Sequence, residues 1–183
     1  MNTVFISAGH SNTDPGAISA DGTYREADLA VRLRNRITAS LRAIGVETIS
    51  DGEGQVNQPL RDAVQTAKRN QGISIEIHFN AGPPSASGVE ALAKPRHKVM
   101  SQALCAAIAK HLKSPLRGEG GWKPTNSGQH HRLAFCEANG VILEVCFISN
   151  PGELETYLKL EAEIAQSLAD VVSDYRRNSN ELA

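Results

Sequence analysis

Ile73-Ser74-Ile75-Glu76-Ile77-His78-Phe79-Asn80 alternates apolar and polar residues from end to end. A strand turns successive side chains to opposite faces, so Ile73, Ile75, Ile77 and Phe79 share one face and Glu76, His78 and Asn80 share the other. Polar groups on so apolar a strand are costly to bury without partners, and a polar site supplies the reason for them. Two further runs, Thr3 to Ala8 and Val141 to Cys146, read as strands buried on both faces. The first leads into Ser7-Ala8-Gly9-His10, and the second carries Glu144 within Leu143-Glu144-Val145-Cys146-Phe147-Ile148-Ser149-Asn150. Ligand sites in open α/β sheets form at the carboxyl ends of the strands, which predicts that His10, His78 and Glu144 meet. Glu26, at the start of the first long helix, is a fourth group within reach of them. Two imidazoles and a carboxylate are a usual catalytic zinc set with one position left to water, and a second carboxylate, Glu144, is then placed to act as general base.

Outward from these runs, helical and strand patterns alternate. Leu29, Leu33, Ile37, Leu41 and Ile44 recur at helical spacing over Arg25 to Ile44, and Gly45 ends that helix. Val46 to Ser50 reads as a strand, Asp51 to Gln58 as a polar loop, and Pro59 as the first turn of a helix to about Asn70. Gly88 to Ala93 reads as a strand. A helix over about Arg96 to Leu112 is expected to turn Val99, Leu104, Ile108 and Leu112 inward. Ser114 to Gln129, rich in glycine and holding Trp122, reads as a long surface loop. Leu133 to Cys136 is expected to be a short strand. Asn150 has the features of an N-cap, with Pro151 and Glu153 in the first turn. The C-terminal helices are expected over about Gly152 to Leu158 and Glu161 to Arg177, with a frayed tail from 179 to 183 after a single domain spanning 1–178. No repeat, low-complexity segment or linker interrupts this pattern, which describes one α/β domain.

At 183 residues the chain is long enough for one sizeable core. A formal net charge of −1, from 19 basic and 20 acidic residues, argues against a nucleic-acid binder. No apolar run is long enough for a transmembrane segment. Cys105, Cys136 and Cys146 are odd in number and widely spaced, so they read as buried reduced thiols rather than a disulfide or zinc framework.

Gly9-His10, Asp14-Pro15-Gly16-Ala17, Glu26 with Leu29 and Ala30, Ile77-His78-Phe79-Asn80-Ala81, Gly88-Val89-Glu90, Leu143-Glu144 and Phe147-Ile148-Ser149-Asn150 occur in that order. In this the chain resembles the zinc-dependent N-acetylmuramoyl-L-alanine amidases of the amidase-3 type over about Val4 to Leu168. The resemblance implies one zinc ion on His10, Glu26 and His78, with Glu144 as the catalytic glutamate. It also implies a twisted, mostly parallel six-stranded sheet flanked by helices, of the phosphorylase/hydrolase-like kind. The implied substrate is peptidoglycan, cut at the amide between N-acetylmuramic acid and L-alanine. The chain departs from the family pattern at Ser7-Ala8, at Cys146 and at Glu76, none of them an expected zinc ligand. Glu76 shares the face of His78, where it is placed to tune the metal or bind substrate. Asn80, His130 and His131, with Arg132, are further candidates for substrate contact, and Trp122 for stacking on a sugar.

The chain enters its first strand without a basic and then apolar leader, and it shows no wall-binding repeat. That pattern suits a monomeric bacteriophage endolysin, held in the host cytoplasm until released to the periplasm and wall. A bacterial or prophage wall-remodelling amidase is the alternative. A zinc peptidase acting on the stem peptide would share the metal, but no HExxH spacing is present. A wall-binding module without catalysis would not need all four site residues.

Overall fold

The computed structural model describes residues 3–127 and 133–181. Its centre is a six-stranded sheet. The strands are β1 (Val4–Ala8), β2 (Thr48–Ser50), β3 (Ile73–Asn80), β4 (Glu90–Leu92), β5 (Trp122–Lys123) and β6 (Val141–Phe147). They lie in the order β2-β1-β3-β6-β4-β5. All neighbouring pairs are parallel except β4 with β6. The helices are α1 (Glu26–Ala43), α2 (Leu60–Arg69), α3 (Lys98–Leu112), α4 (Ala134–Glu137) and α5 (Pro151–Glu181). The expected mostly parallel α/β sheet is therefore the observed one.

The two faces of the sheet are closed unequally. On one, α1, α3 and α5 pack a large core that includes Val4, Ile6, Leu29, Leu33, Ile75, Ile77, Leu104, Ile108, Leu143 and Leu168. On the other, α2 and α4 cover a smaller cluster of Phe5, Ala63, Val64, Ala67, Leu92, Phe135 and Ile142. That smaller layer covers only the lower part of its face. Further along the same strands the alternating positions are Glu76, His78, Glu144 and Glu90, and they are left to form a site.

The structure corrects several local readings. Leu133 to Cys136 is not a strand, because α4 forms there and Glu137 N donates to Leu133 O. Its apolar run is too short for periodicity to separate helix from strand. The two expected C-terminal helices are one, since Leu158-Lys159-Leu160-Glu161 are all good helix formers and nothing breaks the chain between them. That helix runs on to Glu181, into the segment expected to fray. Asn150 does cap it, accepting Gly152 N and Glu153 N through Oδ1, both at 3.1 Å. Val99 is 69% exposed, and Met100 takes the inward place expected of it. The segment read as a long loop contains the edge strand β5, where Trp122 donates from Nε1 to Ala93 O at 3.0 Å. All three cysteines are buried and unbridged, and Cys146 lies in the large core.

A buried polar buttress sets the end of β1. Arg34 and Asp51 are both 0% exposed and meet at 2.8 Å. Asp51 Oδ2 also accepts Ser7 Oγ at 2.8 Å and Ala8 N at 3.0 Å, just before the chain reaches His10. Removing one member of a buried pair strands the other charge, at a cost of about 3–5 kcal/mol. Asp51→Ala is therefore expected to lose stability of that order in urea unfolding. A loss within experimental error of zero would show that Arg34 finds other anions without cost.

Candidate functional site

The site is assembled from three strand ends and one helix start. His10 follows β1 in the left-handed region, at φ 64°, which a side chain other than glycine rarely adopts. Asn57 supports that backbone, its Nδ2 donating to Ala8 O, Gly9 O and His10 O, each at 3.1 Å. The loop then returns through Asp14-Pro15-Gly16 to α1, with Glu26 N donating to Ala17 O at 2.8 Å. Glu26 thereby stands in the first turn of an 18-residue helix, where a negative charge is favoured.

The Glu26 carboxylate joins the two imidazoles. Oε2 lies 3.0 Å from His10 Nε2, and Oε1 lies 2.9 Å from His78 Nδ1. Backbone amides complete its shell, Ala17 N at 2.9 Å on Oε2 and Phe79 N at 3.0 Å on Oε1. The outer nitrogen of each imidazole is held by another carboxylate: His10 Nδ1 by Asp14 Oδ2 at 3.0 Å, and His78 Nε2 by Glu76 Oε2 at 3.2 Å. Small residues make room for this. A Cβ on Gly9 would lie 2.3 Å from the His78 ring, and one on Gly16 would lie 2.6 Å from His10 and 2.7 Å from Glu26.

Charge follows from these contacts. Burial works against the Glu26 anion, but hydrogen bonds from His10 and His78 outweigh it and hold its pKa far below the usual carboxylate range. The Glu26 hydrogen bond raises His10. Burial opposes protonation of His78, yet Glu26 and Glu76 together raise it well above the ordinary value. Glu144 differs. It pairs in register with His78 on β3 and with Glu90 on β4, and its Oε2 is buried without a hydrogen-bond partner among the described residues. Burial pushes its carboxyl up to about 7; His78 opposes that rise, and the carboxylates of Glu26 and Glu90 add to it.

One ligand atom from each of His10, Glu26 and His78 lies within 4.8 Å of the others. The donor types fit a divalent metal with an open coordination position, and the carboxylates of Asp14 and Glu76, on the outer nitrogens of the two imidazoles, fix the orientation of those rings. Glu144 stands opposite His78 on the neighbouring strand, near enough to feel the charges of His78, Glu26 and His10. A cleft of about 280 Å³ opens beside the two imidazoles, lined by His10, Asp14, Glu76, His78, Leu133 and Phe135 among others.

The expected residues thus divide. His10, Glu26, His78, Glu144 and Glu76 come together. Asn80 points along the sheet and donates to Glu90 Oε1 at 3.2 Å. Trp122 sits in the edge strand with Lys98 Nζ 5.1 Å from its ring centroid. His130 and His131 lie outside the described residues. Sequence reading missed Asp14, taken only as a turn residue, although its place four residues after His10 was a usable signal. It also missed Asn57, whose contacts lie 47 to 49 residues away in the chain and left no local mark.

A helix-flanked α/β sheet with a His/Glu/His cluster and a separate buried carboxylate at its strand ends has the makings of a hydrolase. The chain belongs to the amidase-3 family of N-acetylmuramoyl-L-alanine amidases, which it matches over residues 4–174. It is accordingly an enzyme of that class, acting on peptidoglycan. A Neisseria meningitidis protein assigned as an N-acetylmuramoyl-L-alanine amidase is 42% identical, with a TM-score of 0.86 and 95% of each chain covered. The catalytic domain of CwlV, an amidase from Bacillus (Paenibacillus) polymyxa, shares the fold at 22% identity and a TM-score of 0.80, over 96% of this chain and 98% of that one. The Bacillus subtilis (strain 168) protein YqiI is 27% identical over 173 residues, 93% of this chain and 81% of its own length.

The raised histidines give a pH test. Their pairing with carboxylates contributes stability that is fully present below the unfolded-state pKa of about 6.5 and is lost as pH rises through the higher folded values. Glu144, also raised, acts in the same sense, whereas Glu26, depressed, contributes stability that is lost progressively as pH falls below its unfolded-state value of about 4.3. In chelator the thermal midpoint should therefore fall between pH 6.5 and pH 9. The gain on adding a divalent metal should grow over that interval, because metal needs neutral imidazoles. A midpoint independent of both pH and metal would contradict the arrangement.

Proposed function

We propose that the chain hydrolyses the amide between the lactyl group of N-acetylmuramic acid and L-alanine of the stem peptide, using one zinc ion held by His10, Glu26 and His78. Zinc, when bound, supplies a Lewis acid for the scissile carbonyl and lowers the pKa of water from about 15.7 toward 7. The observation that carries the reading is the contrast between two carboxylates in one site. Glu26, with four hydrogen-bond donors, stays anionic at all working pH values and suits a ligand. Glu144, with an oxygen left unpartnered and a carboxyl pushed up to about 7, suits a group that takes and returns a proton.

Glu144 removes a proton from the attacking water and delivers it to the amide nitrogen as that bond breaks. Its strand position fixes it, between His78 and Glu90 on neighbouring strands. Asp14 and Glu76 hold the imidazoles in place by accepting from their outer nitrogens. Asn57 keeps the His10 backbone in its left-handed conformation.

Zinc content measured beside turnover separates the two carboxylates. Glu144→Gln keeps size and hydrogen bonding but loses the basic oxygen. It should retain zinc and fold while losing about 10²–10⁴ in rate, the usual general-base contribution. Glu26→Gln should instead lose zinc affinity and recover part of its activity at high zinc. A Glu144→Gln protein free of metal beside a zinc-replete Glu26→Gln would reverse the two roles. Lytic use by a bacteriophage is the wider proposal. Co-expression with a membrane-permeabilising protein should lyse the producing cells, and intact cells would favour wall remodelling.

A further inference from the structure

Polar groups on the open face continue beyond Glu144. Glu90, its cross-strand partner, collects two cations on Oε2: Arg117 Nε at 2.5 Å and Lys123 Nζ at 2.7 Å. Arg117 is held from several sides. Its Nη1 donates to Ser87 O at 3.3 Å, its guanidinium lies 5.0 Å from the Phe147 ring centroid, and its backbone N donates to Val89 O at 3.0 Å. The loop that carries it is tied down by Glu153, which accepts Gly88 N at 2.9 Å, Phe147 N at 2.7 Å and Ser114 Oγ. Even so, 39% of the Arg117 side chain remains exposed. One cation would neutralise Glu90. The second leaves a net positive charge beside the proton-carrying glutamate, on a guanidinium already oriented, and such a fork favours a carboxylate.

The chemistry decides which part of the substrate reaches this spot. Glu144 must hand its proton to the leaving amine, so that nitrogen lies over β6. The cluster of His10, Glu26 and His78 occupies the β1 and β3 side. The peptide leaving group therefore runs toward β4. Adjacent strands are about 4.8 Å apart, and successive α-carbons about 3.8 Å, so the second residue of the stem peptide arrives over Glu90, Arg117 and Lys123. That residue is commonly a γ-linked glutamate whose α-carboxyl is either free or amidated.

We propose that Arg117, supported by Lys123, is a specificity-determining residue that binds the free α-carboxylate on the second residue of the stem peptide. The proposal rests on the amidase reading and on Glu144 as the proton carrier. Its test compares kcat/KM of the zinc-loaded enzyme on two N-acetylmuramoyl tripeptides that differ only in glutamate or isoglutamine at the second position. The wild type should favour the free acid by about tenfold or more, as sites built for a polar group do. Arg117→Gln should bring the ratio close to one by raising KM for the acid, with the amide little changed, and Arg117→Lys should keep part of the preference. If Arg117→Gln does not fold, Lys123→Met must reduce the preference for the proposal to stand. Equal wild-type rates on both tripeptides, or equal losses on both in Arg117→Gln, would overturn it while leaving the amidase reading intact. A wild type that cleaves neither tripeptide overturns that reading, and this assignment with it.

Discussion

The site depends on one buried anion. The Glu26 carboxylate is 6% exposed, and taking such a group out of water is unfavourable unless its lone pairs are filled. They are filled by four donors from three segments: the turn at Ala17, the loop at His10, and both the side chain of His78 and the backbone of Phe79 on β3. The same contacts that offset the desolvation of Glu26 bring two imidazoles together around it, edge to face, with ring centroids 5.1 Å apart. Placing the acid in the first turn of α1 adds the favourable field of the helix terminus. Folding of the loop between β1 and α1 and assembly of the ligand cluster are thus one event.

The second consequence concerns Glu144, which sits near the same imidazoles but receives none of those donors. Without them burial dominates, and two chemically similar acids end with pKa values on opposite sides of the ordinary carboxylate value. Their separation follows from backbone geometry rather than from residue type. Glu26 stands where the loop after β1 enters α1, within reach of Ala17 N, Phe79 N and both imidazoles. Glu144 lies mid-strand, where its neighbours' N–H groups are committed to the sheet.

Strand alternation made the centre of the fold readable. Ile73 to Asn80 and Val141 to Phe147 are strands because their apolar positions leave little alternative, and the polar residues left over are the site. Glu76, His78 and Glu144 could be found for that reason, and His10 and Glu26 through their places at a strand end and a helix start. The sequence concealed whatever depends on distant partners. Asp51 and Asn57 occur in what looks like an ordinary polar loop, yet one closes a buried pair with Arg34 and the other holds three carbonyls of the His10 segment. Arg117 and Lys123 belong to a glycine-rich stretch whose strand, β5, is only two residues long and has no period to detect. Trp122 reads as part of a loop for the same reason.

Position along the strands explains why the chemistry lies where it does. On the face covered by α2 and α4, Ile142 and Leu92 are paired neighbours within the smaller core, and two residues from each stand Glu144 and Glu90, themselves paired. On β3 the polar positions begin at the same level, with Glu76 opposite Ile142 and His78 opposite Glu144. One step along three strands therefore converts core into site. Slipping any of them by a single residue would turn its carboxylate or imidazole toward the large core beneath α1, α3 and α5, where nothing could satisfy it. The register that keeps the core dry is the register that assembles the active site, so stability and catalysis constrain the same strand pairings.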